Sequence, residues 1–366
     1  MSSDFGLPVS PLHRTEPYAN NDTSGPPQGP VFIAMLDKFK REINYLRVSI
    51  TDRCNLRCKY CMPKEGVSQL GHEDILRYEE ILRIIRITRR VGIVKVRVTG
   101  GEPLVRRGVV EFLASLGPLG LEDISLTTNG ILLESFADRI YRAGVGRINV
   151  SLDSLDPAKY EQITRGGDLA SVLRGLEQAN RAGFSPIKIN VVAVRGFNDD
   201  EALSFARLTL EKPYEIRFIE LMPLGGKRDN DQQYVSNDEI MDRISRAGRL
   251  IPVEKAHSDG RLDGPASRYR LEGARGVIGF ISPISHNFCH SCNRLRLTAD
   301  GGLRTCLMVD GEIDLKTPMR KGCADEDLEQ LIRKAIENKP RGQHTEGAGE
   351  DCSRRKCVRE MSTIGG

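Results

Sequence analysis

Residues Leu46-Arg-Val-Ser-Ile50 run without a break into Thr51-Asp-Arg-Cys-Asn-Leu-Arg-Cys-Lys-Tyr-Cys-Met-Pro63. The first segment is a short β-branched run and predicts a strand. The second is a loop in which Cys54, Cys58 and Cys61 fall within eight residues, three residues separating the first pair and two the second. The chain opens with no basic-then-apolar signal pattern, so thiols this close point to a metal centre rather than a disulfide. Three thiolates leave a tetrahedral zinc site one ligand short, and only His72 is near in sequence to complete it. They can instead hold a four-iron cluster with one iron free to bind something else.

The same grammar recurs outward from this stretch. Further β-branched runs lie at Ile93–Val98, Ile124–Thr127, Arg147–Leu152, Ile187–Val194 and Glu215–Ile219, with helical periods between them. Tyr78, Ile81, Leu82 and Ile85 make one apolar stripe; Leu169, Val172, Leu173 and Leu176 make another. Asn198-Asp-Asp200 reads as a cap ahead of Ala202, Leu203 and Ala206, and Ser236 with Glu239 as a capping box. Strands alternating with helices mean βαβ units and a parallel sheet. Six units fit either an open doubly wound sheet or a partial (β/α) barrel, and both place the ligand at the carboxyl ends of the strands. There lie the cysteine loop, Thr99-Gly-Gly-Glu-Pro103, Thr127-Thr-Asn-Gly130, Ser151-Leu-Asp153 and Glu220-Leu-Met-Pro223.

Beyond about residue 223 the pattern gives way to a polar loop, Leu224 to Asp231, and then to turn-rich segments. These carry a second cysteine set, Cys289, Cys292 and Cys306. With His286 and His290 beside it, this set suits a structural zinc with three Cys and one His as well as a second cluster. Gly100 and Gly101 permit close backbone approach, and Glu102 can accept hydrogen bonds from an ammonium group. An open iron can chelate an amine and a carboxylate together, as the methionine end of S-adenosylmethionine presents them, and such a cofactor performs radical chemistry. Arg47, Arg97 and Lys188 sit inside predicted strands, where charge is out of place unless it faces a site. With Arg294 and Arg296 they could neutralise a polyphosphate, or each could be an ordinary strand-edge charge. Cys323, Cys352 and Cys357 show no ligand spacing.

The bulk numbers narrow the class. The 366 residues are 39% hydrophobic and 28% charged, as in a globular protein with a core. A net charge of +4 and 5% aromatics without Trp argue against a nucleic-acid binder. No run approaches the roughly 20 apolar residues of a membrane span. Nine cysteines in clusters suit a cytoplasmic metalloprotein. Four segments are expected: a disordered extension over 1–35, a barrel over 36–223, a smaller domain over 224–340, and a tail over 341–366 that ends in Gly-Gly.

These motifs resemble the radical S-adenosylmethionine superfamily, and within it the GTP 3′,8-cyclases of molybdenum cofactor biosynthesis (the MoaA type). The resemblance rests on the cysteine loop, Arg97–Pro103, Leu126–Gly130, Arg147–Asp153, Ile216–Glu220, Phe288–Arg296 and the terminal Gly-Gly, and runs from about residue 36 to the end. It implies an α/β fold, an incomplete (β/α)6 barrel whose open side is covered by a smaller C-terminal α+β domain. It implies two [4Fe-4S] clusters, one on Cys54, Cys58 and Cys61, the other on Cys289, Cys292 and Cys306. Tyr60, Gly101, Glu102, Ser151 and Met222 would meet S-adenosylmethionine. Arg47, Arg97, Thr127, Lys188, Arg294, Leu295 and Arg296 would meet GTP, Leu295 through its backbone. Gly365 and Gly366 would enter the active site. The implied reaction begins when a 5′-deoxyadenosyl radical takes the 3′ hydrogen of GTP; the ribose radical then adds to guanine carbon 8. The resemblance further implies a homodimer, a flavodoxin- or ferredoxin-like electron donor, and cyclic pyranopterin monophosphate synthase as the next enzyme. A peptide-modifying radical enzyme with an auxiliary cluster is the alternative. The Arg-Leu-Arg after Cys292 and the Gly-Gly tail speak for the triphosphate.

Overall fold

Each predicted run becomes a strand because its residues alternate. Leu46, Val48, Val96, Val98, Leu126, Ile148, Val150, Ile189, Val191 and Ile216 are all buried in the apolar core. The residues between them, such as Arg47, Arg97, Thr127 and Lys188, face a cavity instead. Parallel strands packed on both faces normally read as continuous apolar runs. Here they alternate because only the helix side is dry.

The computed structural model describes residues 35–224, 232–254, 264–342, 357 and 359–365. The extension expected over 1–35 (Met35 apart), most of the polar loop ending at Asp231, Cys352 and Gly366 lie outside them. The described residues all lie in one compact unit. In order it runs Tyr45–Ser49 (β1), Tyr78–Arg90 (α1), Lys95–Thr99 (β2), Val109–Ala114 (α2), Asp123–Thr128 (β3), Leu133–Arg142 (α3), Arg147–Ser151 (β4), Pro157–Thr164 (α4), Leu169–Arg181 (α5), Lys188–Ala193 (β5), Ala202–Glu211 (α6) and Glu215–Glu220 (β6). Then follow Asn237–Ser245 (α7), Leu250–Pro252 (β7), Ser267–Leu271 (β8), Val277–Ile281 (β9), Arg294–Leu297 (β10), Gly302–Arg304 (β11), Glu312–Asp314 (β12), Lys316–Arg320 (α8), Asp325–Glu337 (α9) and Met361–Ile364 (α10).

The strands form one sheet in the order β12-β11-β10-β1-β2-β3-β4-β5-β6-β9-β8-β7. It has two free ends, so the barrel is incomplete, as expected. The six predicted strands are consecutive and parallel. Periodicity did not reveal that the C-terminal segment joins this sheet: β10 pairs parallel with β1, and β9 parallel with β6. The remaining outer strands are antiparallel. Cys289 and Cys292 thereby precede β10, the strand beside β1, and Cys306 follows β11, while the first cysteine set follows β1.

The Ser236 capping box is present, with Glu239 reciprocating. Two expectations need correction. Leu173 is 46% exposed, so the stripe of α5 is Leu169, Val172 and Leu176. Asn198 does not cap α6. Its side chain is spent between strands, donating to the carbonyls of Asp153 and Val192 and accepting from Val194 N–H at 2.8 Å. No helix among the described residues is long and apolar enough to cross a membrane.

Candidate active site

The inner face of the strands encloses a cavity of about 320 Å³, within the range of small-ligand sites, that runs from the loops at their carboxyl ends to their first residues, such as Lys95, Arg147 and Lys188. Cys54, Cys58 and Cys61 line it, and so do Cys289, Cys292 and Cys306, more than 200 residues away in sequence. Tyr60, Gly101, Ser151, Met222, Arg47, Arg97, Thr127, Lys188, Arg294 and Arg296 are also on its wall. Three expected residues are not: Gly365, whose carbonyl meets Arg296 instead, Leu295 and Glu102. Leu295 is fully buried in the apolar core, as alternation along β10 requires, so its side chain turns away. Glu102 is fully buried behind the wall.

The cysteine loop is held by its neighbours. Gly101 N–H donates to Thr51 O at 2.7 Å, and Glu102 N–H to Arg53 O at 2.8 Å. A Cβ on Gly100 would stand 2.7 Å from Thr51 O, and one on Gly101 2.7 Å from Asp52 O. The glycines were expected to admit a ligand; the approach that forbids a side chain is that of the cysteine loop itself. The Glu102 carboxylate accepts from Leu104 N–H, Thr128 Oγ1–H and Asn129 N–H rather than facing the cavity. Burial pushes its pKa up to about 7 against those bonds. Asn129 in turn donates to Asn55 Oδ1, beside Cys54, at 2.8 Å. On the other side of the loop Tyr60 donates to Asp153 Oδ2 at 2.8 Å, and Asp153 Oδ1 accepts from Val192 N–H at 2.9 Å. Asp153, which sequence reasoning placed at a strand end without a role, therefore ties the loop to β4 and β5.

The two cysteine sets sit in opposite fields. Burial, then Cys61, Asp153 and Cys54, drive the Cys58 thiol well up. Burial also raises Cys292, but Arg294, Lys339 and Arg41 outweigh it and bring that thiol down to about 6. Among the described residues no three Cys, His, Asp or Glu side chains converge tightly enough for a single metal ion. A cubane takes each thiolate on a different iron, so it asks for a wider spread. The histidines that kept zinc open do not help it. His286 is exposed and bonded to Asp238 at 2.8 Å, and neither it nor the exposed His290 is on the cavity wall. The donor sets therefore fit two clusters better than a zinc ion.

The cations form a row across the sheet. Register aligns Arg296, Arg47, Arg97, Ser125 and Arg147 on the neighbouring strands β10, β1, β2, β3 and β4. Like charges directly across strands repel. These strands are central in the sheet, which removes the strand-edge explanation. Burial, with Arg296 beside it, holds the Arg47 guanidinium well below its usual range, and burial with Arg294 brings Arg296 down to about 10. Lys95, Arg147 and Arg217 join the wall and were missed in the sequence. The alternation that singled out Arg97 would have found them, since each occupies an inward position of its strand. Lys188 lies 3.3 Å from Glu215, which also bonds Arg217. Burial and Arg217 bring Lys188 down to about 7, whereas Arg217 and Lys188 overcome burial and hold Glu215 near about 2. Glu215 is thus shared by Arg217 and Lys188, and Lys188 keeps its place on the cavity wall. Thr127 Oγ1 and Asn190 Oδ1, both buried on this wall, have no partner among the described residues.

The tail reaches the same place. Met361 and Ser362 line the cavity, and Gly365 O accepts from Arg296 Nη1 at 2.8 Å. Gly365 has φ +73°, and a Cβ there would lie 3.0 Å from Ser49 Cβ.

Comparison with known proteins shows the family. The Radical SAM superfamily model matches residues 48–209, and Molybdenum Cofactor Synthesis C matches 214–345. A GTP 3′,8-cyclase of Moorella thermoacetica is 51% identical over 333 residues, 91% of this chain and 100% of that one. One of Thermodesulfovibrio yellowstonii is 49% identical over 337 residues with the same coverage. The crystal structure of Streptococcus suis SuiB bound to S-adenosylmethionine matches with a TM-score of 0.57 at 14% identity, covering 86% of this chain and 71% of that one. At that identity it supports the fold alone. Motifs, fold and whole-length relatives agree: the chain belongs to the GTP 3′,8-cyclase family of the radical S-adenosylmethionine superfamily.

Proposed function

We propose that this enzyme converts GTP to 3′,8-cyclo-7,8-dihydro-GTP, the first step of molybdopterin biosynthesis. The observation that carries the reading is one cavity lined by two cysteine triplets and a row of buried cations. When bound, the cluster on Cys54, Cys58 and Cys61 together with S-adenosylmethionine supplies the radical that takes the ribose 3′ hydrogen. The rest falls to the chain's residues. Arg47, Arg97, Lys188, Arg294 and Arg296, with Lys95, Arg147 and Arg217, neutralise the triphosphate and fix its place. Thr127 and Asn190 offer hydrogen-bonding atoms to the nucleoside. Tyr60, Gly101, Ser151 and Met222 border the cofactor, with Glu102 setting the loop from behind. Cys289, Cys292 and Cys306 would hold the second cluster, which would offer the base a binding site. Gly365, followed by Gly366, closes the site beside Arg296.

In this reading residues 36–223 are the barrel, 224–340 the auxiliary-cluster segment and 341–366 the tail. A flavodoxin- or ferredoxin-like protein delivers the electron, cyclic pyranopterin monophosphate synthase takes the product, and the chain works as a homodimer. The test is anaerobic incubation with reductant, S-adenosylmethionine and, separately, GTP, ATP or a peptide mixture, followed by mass spectrometry. A cyclised GTP product and 5′-deoxyadenosine, formed with GTP alone, is the expected result. Turnover of peptide instead would establish the alternative. Cys54→Ala, Cys58→Ala or Cys61→Ala should abolish cofactor cleavage.

A further inference from the structure

Outside the cavity wall, Lys339 is a buried cation with no carboxylate counter-charge among the described residues. It follows α9 and is 2% exposed. Its ammonium donates to Arg294 O at 2.9 Å and to Thr305 O. Those carbonyls belong to the two segments that carry Cys292 and Cys306. Among the described residues no carboxylate pairs with Lys339. A buried charge left unpaired is strongly destabilising, so something else must balance it. Burial lowers the Lys339 pKa, and the groups that oppose this and favour its charged form are Cys292 and Cys306, on the segments whose carbonyls it bonds. The next three residues complete a brace. Arg41, itself paired with Asp37, donates to the carbonyls of Cys289, Pro340 and Arg341 at 2.7 to 3.1 Å. Gly342 packs on Cys289, where a Cβ would stand 2.9 Å from the Cys289 Cβ.

We propose that Lys339 is the positioning residue of the second cluster, joining the segments of Cys292 and Cys306 and supplying the buried positive charge that a cluster with three thiolates requires. Charge and hydrogen bonds behind the ligands tune a cluster's stability and potential. The proposal rests on the two-cluster reading, and the experiment separates the two. The full-length enzyme is reconstituted anaerobically, its iron counted and its clusters titrated by EPR. Wild type should hold about eight irons; about four would overturn the two-cluster reading itself. Lys339→Met should fall to about four, with the first cluster's signal retained as proof of folding. Lys339→Gln keeps donors for the carbonyls and loses the charge, so its second cluster should be lost or should titrate at a more negative potential. Lys339→Arg should keep both iron and potential. A Lys339→Gln enzyme with full iron and an unshifted second potential would overturn the proposal, leaving Lys339 as a strut only.

Discussion

At the scale of single residues, the site is a set of groups held in states they would not adopt in water. Lys188 shows the consequence. Its free ammonium titrates near pH 7, because burial and Arg217 outweigh Glu215. A bound triphosphate raises that pKa. Below about pH 7 the lysine is charged with or without ligand, so binding takes up no proton. As pH rises above 7 the free lysine loses its proton and binding must restore it, so affinity falls by up to about tenfold per pH unit. Equilibrium binding of GTP between pH 6 and 9 should show this decline, and Lys188→Met should flatten it at a lower affinity. Gly101 makes a steric case. A Cβ there meets the backbone under the cysteine loop, so Gly101→Ala should shift the ligands and lower S-adenosylmethionine cleavage on the order of tenfold to hundredfold. Unchanged cleavage by Gly101→Ala would show that the loop yields.

Between elements, the C-terminal segment is fastened to the barrel helices by ion pairs. Arg320 of α8 bonds Glu80 of α1 at 2.8 and 3.0 Å and also caps the carbonyls of Glu73 and Ile75. Burial raises the Glu80 pKa, but Arg320 and Arg77 outweigh it and hold the carboxylate near about 2. Its folded pKa is depressed, so its contribution is present above about pH 4.5 and is lost as pH falls toward 2. Glu80→Gln should cost about 2 kcal/mol at pH 7, with the gap to wild type closing below pH 4.5 in urea unfolding curves. A gap independent of pH would mean that shape, not charge, is at stake. On α9, Asp325 adds pairs to Arg83 and Arg90 of α1, more exposed and worth less.

For the molecule as a whole, the fold brings the tail back across the sheet. Arg359 bonds Glu312 at 2.8 Å and Asp300 at 3.1 Å, just before α10. Cys357 packs with Leu224 and Ile364, and its Sγ lies 3.3 Å from Arg304. These contacts deliver Gly365 to Arg296. Arg359→Ala should loosen the tail by about 1 kcal/mol, enough for roughly a fivefold fall in cyclised product. Binding of S-adenosylmethionine should not change, because the clamp lies beside β11 and β12 and not at the first cysteine loop. Parallel loss of both activities would assign Arg359 to global stability.

The amino-acid sequence by itself determined the six parallel strands, the inward cations on three of them, and both cysteine triplets. These are local signals: a two-residue alternation survives in any parallel strand that has one dry face, and thiol spacing belongs to a single loop. It did not determine that β9 and β10 would extend the barrel sheet, or that both triplets would share a cavity. Nor did it show that Gly101 serves the cysteine loop, that Glu102 turns inward, or that Lys339 lies behind Cys292 and Cys306. Those facts depend on pairings between residues tens to hundreds of positions apart. Backbone hydrogen bonds and buried charges choose such partners only when the whole sheet assembles, so only the tertiary structure could decide them.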